Sequence, residues 1–195
     1  MASEPLIMGF DTSAAHCAAA LVRGDVVIAS RAVDMARGQA EHLMPLLEEV
    51  LSDGAATWAD LSAIGVGIGP GNFTGIRISV SAARGLALGL GIPSIGVSTF
   101  DASRVDMSDT AVAGVSAPRD QIYISDPANT EGPFLTTMPY EAASDIVMPP
   151  VSETLAQNIA RVAAARFGSD TPRPAPLYIR AADAAPARDL PPQIL

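Results

Sequence analysis

The stretch that decides the fold is Gly67–Ser79, GIGPGNFTGIRIS, which places four glycines and a proline between an apolar run and a helical segment. The preceding run, Leu61–Gly67, is short and apolar, which is typical of a buried strand. Gly91 and Pro93 end the apolar pattern that follows the loop. The stretch therefore predicts a strand, a tight glycine loop and a helix over residues 75–90.

The glycine loop resembles a phosphate loop but fits neither nucleotide-binding fingerprint. A dinucleotide loop requires G-x-G-x-x-G, and its third glycine position falls on Asn72 or Thr74 in the two available registers. A Walker loop requires a lysine, and the chain contains none. Two interpretations stay open: a rigid turn in which Asn72 or Thr74 caps the helix, and a backbone site for an anion.

Strand and helix patterns in the first half follow the order βββαβαβ. Short apolar runs, the turn at Arg23–Asp25 and the helical spacing of apolar residues predict these elements. They are strands at 6–10, 16–22 and 26–30, a helix at 41–51, and a strand, helix and strand at 61–67, 75–90 and 94–98. Pro45 must lie in the first turn of its helix or kink it. The order predicts a mixed sheet covered by helices.

The second half repeats the strand-strand-strand-helix order in weaker and shorter form. Its elements are strands at 111–115, 121–125 and 134–138 and a helix at 152–167. A hairpin is predicted around Pro118–Asp120, and Ser152 is the predicted N-cap of the helix. The proline-rich tail from residue 172 is predicted to be extended. The chain thus divides into an N-terminal lobe at 1–104 and a reduced C-terminal lobe with its tail at 105–195.

Composition restricts the class of function. The chain has 195 residues and a formal charge of -9, and its 12 basic residues are all arginine. Without lysine, Schiff-base and lysine-base mechanisms are excluded, and the acidic balance argues against autonomous nucleic-acid binding. If RNA is involved, another subunit supplies most of the positive charge. The single cysteine, Cys17, and the lack of a basic n-region or an uncharged apolar span predict a cytoplasmic protein that does not bind membranes.

Few residues are candidates for catalysis. His16 and His42 are the two histidines and form neither an HxxxH nor an HExxH pair, which argues against a histidine-based zinc site. Each histidine is interpreted as structural or capping. Asp11, directly after the first strand, is the best candidate for a catalytic carboxylate, but Asp-Thr-Ser is also a common turn sequence.

The helix after the glycine loop carries a row of small residues. Gly85 and Gly89 each cost about 1 kcal/mol relative to alanine in a helix interior. Together with Ser81 they repeat at four-residue spacing, which lets another helix approach closely. Arg77 and Arg84 lie on nearly one face and can pair with carboxylates of a partner or of this chain.

The apolar stripe of the helix at 41–51 is the candidate for the opposing surface. Its members are Leu43, Met44, Leu47, Val50 and Leu51. Packing of the two helices within one chain and an intersubunit helix bundle both fit the pattern. The apolar surface is broad for a single neighbour, so we assign these five residues and the row on the following helix, with its two arginines, to a partner interface.

Six short motifs are shared with a known family. They are Phe10–Ser13, His42–Leu47, Gly69–Arg77, Ile92–Thr99, Gln121–Tyr123 and Pro176–Arg180. Together they resemble the TsaB (YeaZ) family. The resemblance implies an α/β, actin-like ATPase fold (ASKHA, ribonuclease H-like) with two βββαβαβ lobes, the second reduced. It leaves a vestigial phosphate loop as the cofactor-site candidate, made of Asp11, Thr12, Gly69, Gly71 and Thr74.

The resemblance also implies a function. A TsaB-family chain is a non-catalytic dimerisation partner of the TsaD-type transferase, and a TsaE-type ATPase joins the pair. The complex makes threonylcarbamoyladenosine next to the anticodon of tRNAs that read codons beginning with A. ATP and metal are then expected on the partner subunits, tRNA contact only through the complex, and a homodimer when the chain is alone. The metal-binding HxxxH pair of the catalytic paralogue falls on Thr99 and Ser103 here.

An enzyme is the alternative hypothesis. The chain would then be an ATP- or metal-dependent transferase or peptidase-like member of the same fold, in which Asp11 and the glycine loop position phosphate or metal. The lack of lysine and of paired histidines in the sequence favours the partner role over this alternative.

Overall fold

The computed structural model describes residues 4–108, 110–140 and 145–179, and the first half of the chain builds a five-stranded mixed sheet. Its elements are β1 Leu6–Asp11, β2 His16–Arg23, β3 Val26–Asp34, α1 Gln39–Asp53, β4 Ala63–Gly67, α2 Phe73–Leu90, β5 Ser94–Val97 and the short α3 Thr99–Ser103. The strand order is β3-β2-β1-β4-β5. The first three strands pair antiparallel, and β1, β4 and β5 run parallel. The predicted βββαβαβ order is confirmed.

β1 lies in the middle of this sheet and is buried on both faces. Side chains alternate along a strand, so Met8 and Phe10 pack on the side of α1 and α2. Ile7 and Gly9 point to the other side, which α4 (Ser152–Arg166) covers. A strand covered on both faces requires a continuous apolar run, and LIMGF is such a run.

The second half forms a four-stranded sheet and the long helix α4. The strands are β6 Val112–Ala117, β7 Gln121–Ser125, β8 Phe134–Thr137 and β9 Ile146–Val147, in the order β8-β7-β6-β9. The hairpin and the third strand predicted here are confirmed, and β9 is an additional strand. α4 packs against the first sheet, because Leu155 and Ile159 share one core with Ile7 and Val22. The division of the chain at residue 104 stays a prediction.

The helix ends correct one detail of the sequence prediction, the N-cap of α4. Ser152 is the first residue of α4, and the N-cap is Val151, which makes no side-chain hydrogen bond. Pro45 is the seventh residue of α1 and so lies beyond its first turn. At α2 the structure decides between the two candidate caps, because Asn72 Oδ1 accepts a hydrogen bond from Gly75 N at 2.9 Å. In the described ranges, none of the helices has the length and apolar character of a membrane span.

The segment after α4 runs back across the first half of the chain. Residues 171–179 form neither helix nor strand. Pro174 packs close to Gly96 in β5, and Leu177 N donates a hydrogen bond to Ile68 O at 2.8 Å. The prediction of an extended tail over residues 180–195 lies outside the described residues.

Replacing Gly9 with alanine will disturb the contact between β1 and α4. The new Cβ would lie 2.7 Å from the Cβ and the backbone nitrogen of Ala160, and helix backbone does not give way as a flexible side chain does. We expect Gly9→Ala to lower the free energy of unfolding by about 2–3 kcal/mol in urea denaturation. Gly85→Ala is the control, because its Cβ meets no neighbour within 4 Å, and its stability should equal or exceed that of the wild type. Unchanged stability of Gly9→Ala would contradict this packing.

Candidate functional site

The glycine loop lies directly on the turn that joins β1 to β2. A side chain at Gly75 would overlap the carbonyl oxygen of Thr12, and one at Gly71 would overlap the carbonyl oxygen of Ser13. Asn72 N donates a hydrogen bond to Ser13 O at 2.6 Å. Thr12 Oγ1 donates another to Gly75 O at 2.7 Å. Close approach of the chain's own backbone therefore explains why glycine is required at both positions.

Asp11, the candidate catalytic carboxylate, is fully buried and already bonded. Its Oδ2 accepts hydrogen bonds from the backbone nitrogen and the hydroxyl of Ser13 at 2.9 and 2.8 Å. The same oxygen lies 2.7 Å from His16 Nε2. Asp11 Oδ1 is buried against Gly67 and has no hydrogen-bond partner among the described residues. The sequence prediction missed the Asp11–His16 pair, although one residue ends β1 and the other begins the antiparallel β2.

A cavity of about 1020 Å³ opens between the β1–β2 turn, the N-terminal ends of α1, α2 and α4, and the second sheet. Polar residues on its wall include His16, Arg37, Gln39, Glu41, Asn72, Tyr123 and Ser152. Of the five phosphate-loop candidates, Gly71 and Thr74 line this cavity. Asp11, Thr12 and Gly69 are buried and are not part of its wall, so the vestigial phosphate loop stays a prediction.

The groups beside the cavity do not fit phosphate or metal held by Asp11. Only 1% of the Asp11 side chain is exposed. At the N-terminus of α2, the amides of Asn72 and Gly75 already donate to Ser13 O and to the Asn72 side chain. No group of three or more His, Cys, Asp or Glu that could hold a metal ion occurs in the described part of the chain.

Thr99 and Ser103 stand where the resemblance relates this chain to a metal-binding pair. Both are buried, in α3. Thr99 Oγ1 donates a hydrogen bond to Pro70 O at 3.3 Å, and Ser103 Oγ donates to Thr99 O at 2.7 Å. The two hydroxyls thus hold α3 together and tie it to the glycine loop.

The outer face of α2 is exposed from end to end. It is formed by Phe73, Arg77, Ser81, Arg84, Gly85, Leu88 and Gly89. Leu88 is 85% exposed and Phe73 is 53% exposed. A Cβ built on Gly85 or Gly89 meets no neighbour within 4 Å. The row of small residues predicted from the sequence therefore faces away from the rest of the described chain.

The predicted opposing stripe on α1 lies inside the chain, which corrects its assignment to a partner interface. Leu43, Leu47, Val50 and Leu51 are at most 3% exposed and belong to the core on one side of β1 and β2. These four residues are buried because they form the side of an amphipathic helix that covers the sheet. Met44 differs from them, with 38% of its surface exposed.

At the N-terminal end of α2, an arginine and two aromatic rings pack together. The guanidinium carbon of Arg77 lies 3.8 Å from the centre of the Phe73 ring. Phe73 also stacks on Tyr178, with 5.2 Å between the ring centres. Arg77 Nε donates a hydrogen bond to the Tyr178 hydroxyl at 2.9 Å. The segment after α4 therefore adds an aromatic residue to the border of the outer face of α2.

Cys17 is expected to be unreactive in the folded chain. Burial, and then the nearby Asp11 carboxylate, raise the pKa of its thiol to about 11. The thiolate that attacks alkylating agents is therefore scarce at about pH 8, and the side chain is also inaccessible. Mass spectrometry after iodoacetamide treatment should show no labelling in the native state and full labelling in concentrated urea. Rapid labelling of the native chain would contradict the packing around β2.

Several known proteins are similar to this chain in sequence. A family model described as TsaD, tRNA N6-adenosine threonylcarbamoyltransferase, matches residues 33–174. An uncharacterized protein of Mycobacterium tuberculosis (strain ATCC 25618 / H37Rv) is 34% identical over 200 residues, covering 92% of this chain and 94% of that protein. The tRNA threonylcarbamoyladenosine biosynthesis protein TsaB of Escherichia coli (strain K12) is 32% identical over 122 residues. That match covers 60% of this chain and 52% of the Escherichia coli protein.

The solved structure of YeaZ from Pseudomonas aeruginosa has the same fold. The TM-score is 0.65 at 22% sequence identity, and the match covers 90% of this chain and 100% of YeaZ. The predicted α/β fold of the actin-like class is confirmed by this likeness and by the two mixed sheets. On this evidence the chain belongs to the TsaD family and is a homologue of TsaB (YeaZ).

Proposed function

We propose that this chain takes part in the formation of threonylcarbamoyladenosine in tRNA as the non-catalytic partner of a TsaD-type transferase. The observation that carries the proposal is the outer face of α2. Ser81, Gly85 and Gly89 expose a nearly bare stretch of helix backbone, and Leu88 stands beside it as an exposed apolar side chain. Such a surface fits a second helix packed at close range.

The free-energy cost of the two glycines supports an intermolecular role. Each lowers helix stability by about 1 kcal/mol relative to alanine. Other glycines of the described chain have a local reason, which is an overlap relieved, as at Gly75 against Thr12, or a positive φ, as at Gly91. At Gly85 and Gly89 an alanine would meet nothing in the described chain, so folding gains nothing from them there. A partner helix that packs into this space would explain why glycine occurs at both positions.

The further parts of the proposal are taken from the role of TsaB-family chains. The partner is a TsaD-type paralogue, a TsaE-type ATPase joins the pair, and ATP and metal are bound by those subunits. The chain carries a formal charge of -9, so tRNA that reads codons beginning with A is contacted through the complex rather than by this chain alone. Without the paralogue the same helix face pairs two copies of the chain. The complex works in the cytoplasm.

The enzyme alternative has less support from the site. It needs Asp11 to reach a ligand in the cavity, and the Asp11 side chain is instead enclosed by Ser13, His16 and Gly67. Its test is calorimetry of the isolated chain with ATP and magnesium. Tight binding that Asp11→Ala abolishes would favour the enzyme over the partner role.

A large side chain at Gly85 will separate association from folding. Gly85→Leu fills the space that a partner helix requires, so we expect the Kd for the TsaD-type paralogue to rise about tenfold or more in calorimetry. The isolated variant should be as stable as the wild type or more so, because leucine is the better helix former. Ala165→Leu, on the exposed side of α4, is the matched control and should bind normally. An unchanged Kd for Gly85→Leu would contradict the proposed interface.

Cells that lack this chain are expected to lose threonylcarbamoyladenosine from their tRNA. The measurement is mass spectrometry of nucleosides from digested tRNA. The wild-type gene should restore the modification, and the Gly85→Leu gene should restore it less well at equal protein level. Normal amounts of the modified nucleoside in the deletion strain would overturn the proposed function.

A further inference from the structure

We propose that Arg77 and Arg84 bind carboxylates of the TsaD-type partner, so that the partner's docking surface is a helix with acidic residues along one edge. This inference rests on the proposed function and specifies the chemistry of the same interface. Two observations support it. Arg77 and Arg84 form no ion pair with a described carboxylate, and Arg77 is held by contacts with Phe73 and Tyr178.

Four of the eight other arginines in the described chain already have acceptors. Arg31 pairs with Asp53 at 2.5 Å, Arg166 with Asp101 at 2.9 Å and Arg161 with Asp106 at 3.9 Å, and Arg104 donates to backbone carbonyl groups. Arg77 and Arg84 are exposed and form no ion pair with any described carboxylate. In a chain with a formal charge of -9, two unpaired arginines on one helix face form a local positive patch on an acidic molecule.

Arg77 is held in place before any partner arrives. Its guanidinium stacks on Phe73, and its Nε donates a hydrogen bond to the Tyr178 hydroxyl. The Nη1 and Nη2 groups make no hydrogen bond to a described residue and remain free for a carboxylate. Tyr178 is itself positioned by its neighbour Leu177, whose backbone nitrogen bonds Ile68 O at 2.8 Å. Because Arg77 is already ordered in the free chain, it loses less side-chain entropy when it forms an ion pair with a partner.

The two arginines lie along one side of the small-residue row. They are seven residues apart, which is two helical turns, so both project from nearly the same side of α2. A helix packed over Ser81 and Gly85 would bring its own flank across them. Leu88 lies between this flank and the row and supplies apolar contact. The arrangement matches a common interface pattern, with close packing at the centre and charges at the rim.

A protein partner accounts for this surface better than RNA does. Arginine also binds phosphate, but two isolated cations on a strongly acidic chain give a weak field for tRNA. The apolar Leu88 and the bare backbone at Gly85 offer nothing to a phosphate backbone. Binding of tRNA to the isolated wild-type chain and to the Arg77→Glu and Arg84→Glu variants is therefore measured as well, by surface plasmon resonance.

The test compares three charge reversals in the full chain, each of which changes the net charge by the same amount. Arg77→Glu and Arg84→Glu lie on the outer face of α2, and Arg119→Glu lies on the exposed turn between β6 and β7. Binding to the TsaD-type paralogue is followed by surface plasmon resonance at roughly 0.05 M and 0.5 M salt. We expect the two α2 variants to raise the Kd about fivefold or more at low salt, mainly through slower association, and less at high salt. Arg119→Glu should stay within about twofold of the wild type.

Tyr178→Phe tests the positioning of Arg77. Removal of the hydroxyl frees the Arg77 side chain without changing any charge, so we expect a smaller rise in Kd than for Arg77→Glu. The salt dependence of binding should be retained, because the charge remains. Circular dichroism melting of all four variants should match the wild type, since the four substituted side chains are exposed.

The outcomes separate this inference from the proposed function. If the wild type fails to bind the paralogue, the proposed function fails. If the wild type binds but Gly85→Leu binds equally well, the proposed interface on α2 fails, and the inference about its arginines fails with it. If Gly85→Leu weakens binding but Arg77→Glu and Arg84→Glu do not, the interface stands and the inference of acidic partner residues is overturned. If the isolated chain binds tRNA and the two reversals abolish that binding, the arginines serve RNA phosphates and the inference is also overturned.

Discussion

The contact between Gly75 and the Thr12 carbonyl is the constraint on which the first sheet and its helices depend. No Cβ fits between the start of α2 and the β1–β2 turn, so the helix begins against the end of the central strand. The Thr12 hydroxyl also donates a hydrogen bond to the carbonyl oxygen of Gly75. Because β1 is buried on both faces, a shift at this contact would move the centre of the sheet. The direction of α2, and with it the surface that α2 presents, is fixed here.

A second close approach sets the shape of the cavity. Gly9 and Gly65 leave room for Ala160 and Ala163 of α4, so this helix from the end of the chain lies almost on the backbone of β1 and β4. Its N-terminal residue Ser152 then reaches the wall of the cavity, opposite the glycine loop. Glycines thus position α2 and α4, whose N-terminal ends meet that of α1 at the cavity. The Asp11–His16 pair lies at the sheet end of that place, with His16 on the cavity wall and only 1% of the Asp11 side chain exposed.

The fold could be predicted from sequence because its signals are local. Runs of apolar residues, turn glycines and helical spacing give the element order, and each depends on residues a few positions apart. What covers the apolar face of α1 could not be predicted in this way. Periodicity shows that Leu43, Leu47, Val50 and Leu51 share a face, but not whether a sheet or a partner covers it. The Arg77–Tyr178 contact joins residues 101 positions apart and has no local signal at all.

The glycines of α2 show why residue type alone is ambiguous. Gly75 is needed because the chain's own backbone occupies the space of its Cβ, whereas at Gly85 and Gly89 that space is empty. The sequence shows the same residue and nearly the same free-energy cost in all three places. Only the surroundings separate a glycine that the fold requires from glycines that weaken the helix with no compensating contact. The first kind makes α2 rigid at its start, and the second makes its exposed middle approachable. A helix anchored at one end and bare in the middle is well suited to hold a partner in a fixed orientation.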